Sequence, residues 1–383
     1  MDANYFMIGL AILLAFLLGW QLSKLLRRES AQSANKSIKS EYFRGLNFLV
    51  NEEPDKAIEV FIQALEVDDE TVELHLALGG LFRRRGQVDR ATRVHQNIIA
   101  RPNLNDEQRS LAVLELALDY HKAGWLDRAE SLFKELLDKN AYRNKAIEGL
   151  CRIYEQEKDW QKAIDILHRL KSPQRLEVST KISHYYCELA ELALTEGNFQ
   201  DARRFIDNSQ KEAPTVARTA ILKGDLFFAQ DKDSKAREQW LSVAASNPRL
   251  AEFTLDKMIA SFERCDDQEE LKSYLLEFST VPKDARIFER WKDTLFHLFG
   301  PNHALKYILS RVEHSSIGSS LALFLDKQLS LKSVDELDMS DFLAQMLERA
   351  GSQISDYRCL GCGFETKAMY WFCPNCSEWE SFR

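Results

Sequence analysis

Hydrophobic residues follow three different patterns along this chain. From Ala3 to Ser23 there is no charged residue, and Tyr5 to Trp20 is almost wholly apolar. From about residue 41 onward, apolar positions recur every three to four residues between polar ones, the spacing of helices with one buried face. Beyond residue 356 the periodicity gives way to a short segment dense in cysteine, glycine and aromatic residues. The order predicts one membrane-spanning helix, a long all-α body and a small terminal domain of a different kind.

About 20 apolar residues at 1.5 Å rise cross a hydrocarbon layer of roughly 30 Å. Only Asp2 precedes the run, whereas Lys24, Arg27 and Arg28 follow it. A cleaved signal peptide carries its positive charge ahead of the apolar stretch, so residues 1–23 read as an uncleaved anchor. Basic flanks stay in the cytoplasm, which turns the N-terminus outward and places the bulk of the chain inside. Residues 24–40 read as a juxtamembrane tether.

The helical body is organised by an internal repeat. Ala57, Ala91, Ala129, Ala163, Ala202 and Ala236 follow one another at intervals of 34, 38, 34, 39 and 34 residues. Twelve residues before each stands a small residue (Gly45, Gly79, Ala117, Cys151, Ala190, Gly224), and four after each a larger one (Phe61, His95, Phe133, Leu167, Ile206, Trp240). Two antiparallel helices approach closely only where side chains are small, so each repeat reads as a helical hairpin whose small residues face one another at the crossing. Gly86, Gly124 and Gly197, five before their alanines, suit the left-handed end of a first helix. The longer intervals put their extra residues in loops near Pro102 to Asn105 and Ser172 to Val178.

This lattice resembles the tetratricopeptide repeat over about residues 38–250, and helical spacing without the alanine lattice continues to about 350. The resemblance implies a curved solenoid whose first helices line a concave, partner-binding face. In the family geometry that face would carry Tyr42, Leu46, Leu49, Arg83, Arg84, His121, Lys122, Lys145, Arg152, His184, Arg218 and Phe228. The strip is basic and suits an acidic or carboxylate-terminated peptide, although an ordinary solvated helix face remains an alternative.

In the terminal segment, Cys359-x-x-Cys362 and Cys373-x-x-Cys376 are separated by ten residues. Two such turns let four thiolates converge on one ion with no open coordination position, the signature of a structural site. The segment is too short to bury a sufficient core alone, and metal binding would supply its folding free energy. It resembles a zinc ribbon of the rubredoxin type, covering residues 356–383; iron, or two disulfides, are the alternatives. Cys151, Cys187 and Cys265 stand alone and are expected in the core.

A net charge of −8 disfavours binding to nucleic acid through phosphate neutralisation. Walker A, G-x-G-x-x-G, H-E-x-x-H and G-x-S-x-G motifs are absent and the eight histidines are dispersed, so no enzymatic constellation is read. The order of anchor, solenoid and ribbon resembles a lipopolysaccharide-assembly family of Gram-negative inner membranes. That resemblance implies an adaptor, with its N-terminus in the periplasm, that brings the deacetylase of the lipid A pathway to an FtsH-type membrane protease beside other assembly proteins, and it allows a homo-oligomer. It also implies that Cys359, Cys362, Cys373 and Cys376 are the metal ligands. A rubredoxin-like electron carrier and a peptide- or RNA-binding envelope scaffold are the rival readings.

Overall fold

Long stretches rich in Leu, Ala, Glu, Lys and Arg form helices, and the repeat alanines decide how those helices pair. A computed structural model describes residues 72–247, 250–278, 285–300 and 357–382 except 367 and 368, with isolated positions between 44 and 60 and at 282 and 303–308. The anchor and tether of residues 1–40, Tyr42, and residues 309–356 lie outside the described residues. Among the described residues no helix is long and apolar enough to cross a membrane.

The chain divides into two compact units, Met1–Leu170 and Lys171–Arg383. In the first, α1 (Val72–Arg84) pairs with α2 (Val88–Ile99), α3 (Asp106–Lys122) with α4 (Leu126–Leu136), and α5 (Arg143–Glu157) with α6 (Trp160–Leu167). The second unit pairs α7 (Ser179–Thr195) with α8 (Phe199–Glu212), α9 (Ala217–Ala229) with α10 (Asp233–Ser246), and α11 (Glu252–Cys265) with α12 (Gln268–Glu277), before α13 (Ala285–Phe299). The extra residues fall where the spacing puts them. Asn105 caps α3 in a capping box with Gln108, and a single turn, Gln174–Glu177, precedes α7.

Ala91, Ala129, Ala163, Ala202 and Ala236 are all fully buried. Their partners at the crossing correct the expectation that small faces small. A Cβ at Gly79 would collide with the His95 ring, and one at Gly224 with the Trp240 indole. The glycine therefore makes room for the bulky residue sixteen positions later, within the same hairpin.

Each hairpin turn needs one left-handed residue five positions before the repeat alanine. Gly86, Gly124 and Gly197 supply it with φ of 77, 79 and 74°. Lys158 and Asp231 hold the same place at φ 57° without glycine, at a cost of about 1–2 kcal/mol each. Asp266, also at 57°, stands five before buried Leu271, so the hairpin geometry outlasts the alanine lattice. Trp240, Leu255, Met258, Ile259, Phe262, Leu271, Leu275, Trp291 and Leu295 form one continuous core through these later helices. Cys151 and Cys187 are buried as expected, but Cys265 ends α11 exposed.

The terminal ribbon is built from β1 (Tyr357–Arg358) and β2 (Glu365–Thr366), antiparallel with Tyr357 opposite Thr366, and from bridges between Cys359 and Phe382 and between Phe372 and Trp379. Its core of Tyr357, Cys359, Cys373 and Phe382 takes in Phe253 of α11. The ribbon thus shares a hydrophobic core with the second unit's helices.

Candidate metal centre and groove faces

Both C-x-x-C turns close in the same way. The Gly363 N–H donates to the Cys359 carbonyl and the Ser377 N–H to the Cys373 carbonyl, each at 2.9 Å. Both donors are left-handed, Gly363 at φ 76° and Ser377 at φ 62°. The second turn thus keeps the knuckle geometry despite its serine, at the steric cost a Cβ brings to that region.

The four sulfur atoms lie within 4.8 Å of one another. Cys359 and Cys376 are 3.5 Å apart, and Cys362 and Cys373 3.7 Å. A tetrahedral centre with metal–sulfur bonds of about 2.3 Å requires sulfur–sulfur separations of roughly 3.8 Å, so the donor set fits one such ion. All seven cysteines of the chain are free thiols.

The thiols are unequal. The Ser381 hydroxyl, 3.2 Å from Cys359 Sγ, together with the Cys362 backbone N–H, draws the Cys359 pKa down to about 6 against the opposing effect of burial. Cys362 is also lowered, by Asn375 and the Phe364 backbone. Burial and the neighbouring sulfurs push Cys376 up to about 12. The pocket favours its first thiolates and resists its last, a balance that a divalent cation reverses.

The residues expected on the concave face separate into three groups. Arg84, Lys122, Lys145 and Arg152 are exposed on the first helices of the first unit. His121 beside them is half-buried, and its pKa is lowered by burial and by the charges of Arg152 and Lys122. Arg83 is engaged internally: it donates to Asp119 at 2.8 Å and to Glu115 at 2.6 Å, and those carboxylates raise its pKa against the cost of burial. Asp119 is fully buried and also bonds His95, so Arg83 closes a network between the helices while its side chain stays partly exposed.

Arg218 and His184 form the third group, and they correct the expectation of an open groove. Both lie under the ribbon, Arg218 at 3% exposure and His184 at 0%. The Arg218 guanidinium donates to Glu188 at 2.7 Å and Glu191 at 2.5 Å, and lies 5.5 Å from the centre of the Trp371 ring. His184 stacks on Trp379 with centroids 4.8 Å apart and planes at 13°. Burial, then the charge of Arg218, pushes its pKa down to about 3, so the ring is neutral. Another ribbon contact was not read from the sequence at all: the Tyr357 hydroxyl donates to the Glu252 carboxylate at 2.6 Å. Its only signal there is spacing, since His184, Arg218 and Glu252 follow one another at 34 residues. Phe228 lies half-exposed, its ring under the Arg264 guanidinium.

Family models match the ribbon and the repeats separately. Residues 357–383 match the rubredoxin metal binding domain family, and residues 44–92 and 187–251 match the tetratricopeptide repeat family. Among solved structures, the C-terminal part of a TPR repeat-containing protein from Cytophaga hutchinsonii covers 70% of this chain and 98% of its own at 14% identity, with a TM-score of 0.41. Lipopolysaccharide assembly protein B of Haemophilus influenzae is 26% identical over 95% of this chain and 94% of its own length. The Escherichia coli K12 protein of that name is 31% identical with the same two coverages. By descent as well as by architecture, the chain belongs to the lipopolysaccharide assembly protein B family.

Proposed function

We propose that this protein is a non-catalytic adaptor of the bacterial inner membrane that regulates lipopolysaccharide synthesis by bringing the lipid A pathway deacetylase to an FtsH-type ATP-dependent protease. The observation that carries the reading is the contrast of faces on a tetratricopeptide scaffold of this family: one unit offers exposed Arg84, Lys122, Lys145 and Arg152, and the other holds a four-cysteine ribbon against its helices. The basic face receives an acidic segment of a partner through charge-assisted hydrogen bonds. Residues 1–23 hold the adaptor to the bilayer, and confinement of client and protease to one surface raises their effective concentration, so modest affinities suffice.

Crosslinking in membranes followed by pull-down of this protein tests the reading. Recovery of both protease and deacetylase is expected, and recovery of neither overturns it. Deleting residues 1–23 is expected to slow deacetylase turnover in cells; unchanged turnover removes the tethering step.

The ion is proposed to be zinc in a structural role. Cys362 is exposed, which leaves an iron centre poorly shielded. The all-sulfur donor set does support a second reading, a rubredoxin-like electron carrier holding iron. The absorption spectrum of the purified protein separates the two: a colourless protein with one zinc per chain supports the adaptor, and visible thiolate-to-iron bands support the carrier.

A further inference from the structure

The ribbon does not rest on the solenoid at random. It meets His184 and Tyr185 of α7, Arg218 of α9, and Glu252 and Phe253 of α11, and among these His184, Arg218 and Glu252 recur at the 34-residue period of the fold. Each is met by different chemistry: a stacked ring, a cation over an indole, and a hydrogen-bonded carboxylate. All three are buried there, Glu252 at 4% exposure. The row is an extended surface of three unlike chemistries that the ribbon covers.

That shape depends on the ion. The three ribbon residues involved, Tyr357, Trp371 and Trp379, stand two before Cys359, two before Cys373 and three after Cys376. Two of the ribbon's four core residues are themselves cysteines of the metal site, Cys359 and Cys373. Without an ion the knuckles lose what draws them together, and the aromatic side chains lose their common frame. The row in turn has a reason to release an unshaped ribbon. The His184 Nδ1 is buried without a hydrogen-bond partner among the described residues and Nε2 comes within only 3.5 Å of the Glu380 carboxylate, so withdrawal of the ribbon returns both nitrogens to water.

Resting on the reading that the ribbon holds a metal, we propose that His184, Arg218 and Glu252 are positioning residues for that ion. Seating of the ribbon on this row and retention of the ion form one coupled equilibrium. Loss of the ion bares the row, and damage to the row loosens the ion. Linkage makes the coupling equal in both directions. Exposure of this row is thereby set by metal occupancy.

The test uses the full-length zinc-loaded protein and a chromophoric chelator. Arg218→Ala is expected to transfer zinc roughly 10-fold faster than wild type, the low end for residues that support metal ligands from outside the coordination sphere. Arg218→Lys, which keeps the charge but not the flat guanidinium over Trp371, is expected to fall between them. Because Arg218→Ala also leaves Glu188 and Glu191 unpaired, Glu252→Gln provides a gentler variant in which the transfer rate is again expected to rise. Hydrogen exchange gives the reverse direction: chelation of the wild-type protein is expected to raise exchange in Ser179–Thr195, Ala217–Ala229 and Glu252–Cys265, and to leave Val72–Leu167 unchanged. Zinc-bearing variants with the wild-type transfer rate, or a row still protected after chelation, overturn the coupling alone. A wild-type chain that binds no metal overturns the metal reading and the coupling with it.

Discussion

The first helices of the two units begin from the same repeat and end with opposite surfaces. Six residues before the small position, the first unit carries half-buried Leu111 and exposed Lys145, while the second carries His184 and Arg218, both buried beneath the ribbon. The backbone register is identical, so the fold does not decide whether a tetratricopeptide face is open. What decides it is whether another part of the chain brings matching chemistry. On the first unit's face, burial and then the like charges of Arg152 and Lys122 already depress His121. Around Arg218, Glu188 and Glu191 neutralise the guanidinium, so an indole can cover it without stranding a charge.

The largest perturbation of this contrast is removal of the ion. Cys373→Ser is expected to abolish stoichiometric zinc and to cost the ribbon binding free energy on the order of 10–16 kcal/mol, which elemental analysis and protease sensitivity of residues 357–382 will register. One zinc per chain in the purified variant would count against the four-thiolate site.

Next in size is the buried network that turns Arg83 inward. Asp119→Ala strands His95 and leaves Arg83 with Glu115 alone, and is expected to destabilise the first unit by about 3–5 kcal/mol in denaturant unfolding. A loss under about 1 kcal/mol would mean the network adds little to the fold. Smaller again is the crossing that both units share. Gly224→Ala forces a methyl group into the Trp240 ring and is expected to cost about 1–3 kcal/mol. Gly80→Ala meets nothing closer than Arg83 Nη2 at 4.0 Å and is expected to gain about 0.5–1 kcal/mol from helix propensity. Equal effects of the two on thermal unfolding would remove the steric argument.

The least stability change is expected at the open face. Arg84→Glu with Arg152→Glu should move stability by no more than about 0.5 kcal/mol, yet weaken capture of an acidic partner and reduce its salt dependence. Unaltered partner recovery would show that this face is simply solvated.

The repeat was legible because its contacts are local. Gly79 with His95 and Gly224 with Trp240 lie sixteen residues apart, a separation that one hairpin fixes. Where a residue with a Cβ takes the left-handed place, as Lys158 and Asp231 do, no composition signal remains and position alone betrays the turn. Ser377 is the same case within the ribbon. Arg83 and Arg218 were legible as members of the concave face but not as engaged there, because the carboxylates and the indole that engage them come from other helices and from the ribbon.

By itself, then, the amino-acid order determined the hairpin period, the burial of its alanines and the convergence of four cysteines, since each follows from backbone geometry over a few dozen residues. Only the tertiary structure decided which face stays open. That choice rests on meetings such as Tyr357 with Glu252, 105 residues apart, whose chemistry matches only after the ribbon and three separate helices have been brought together. A periodic sequence writes the same surface several times, and burial by a distant segment is what makes the copies differ.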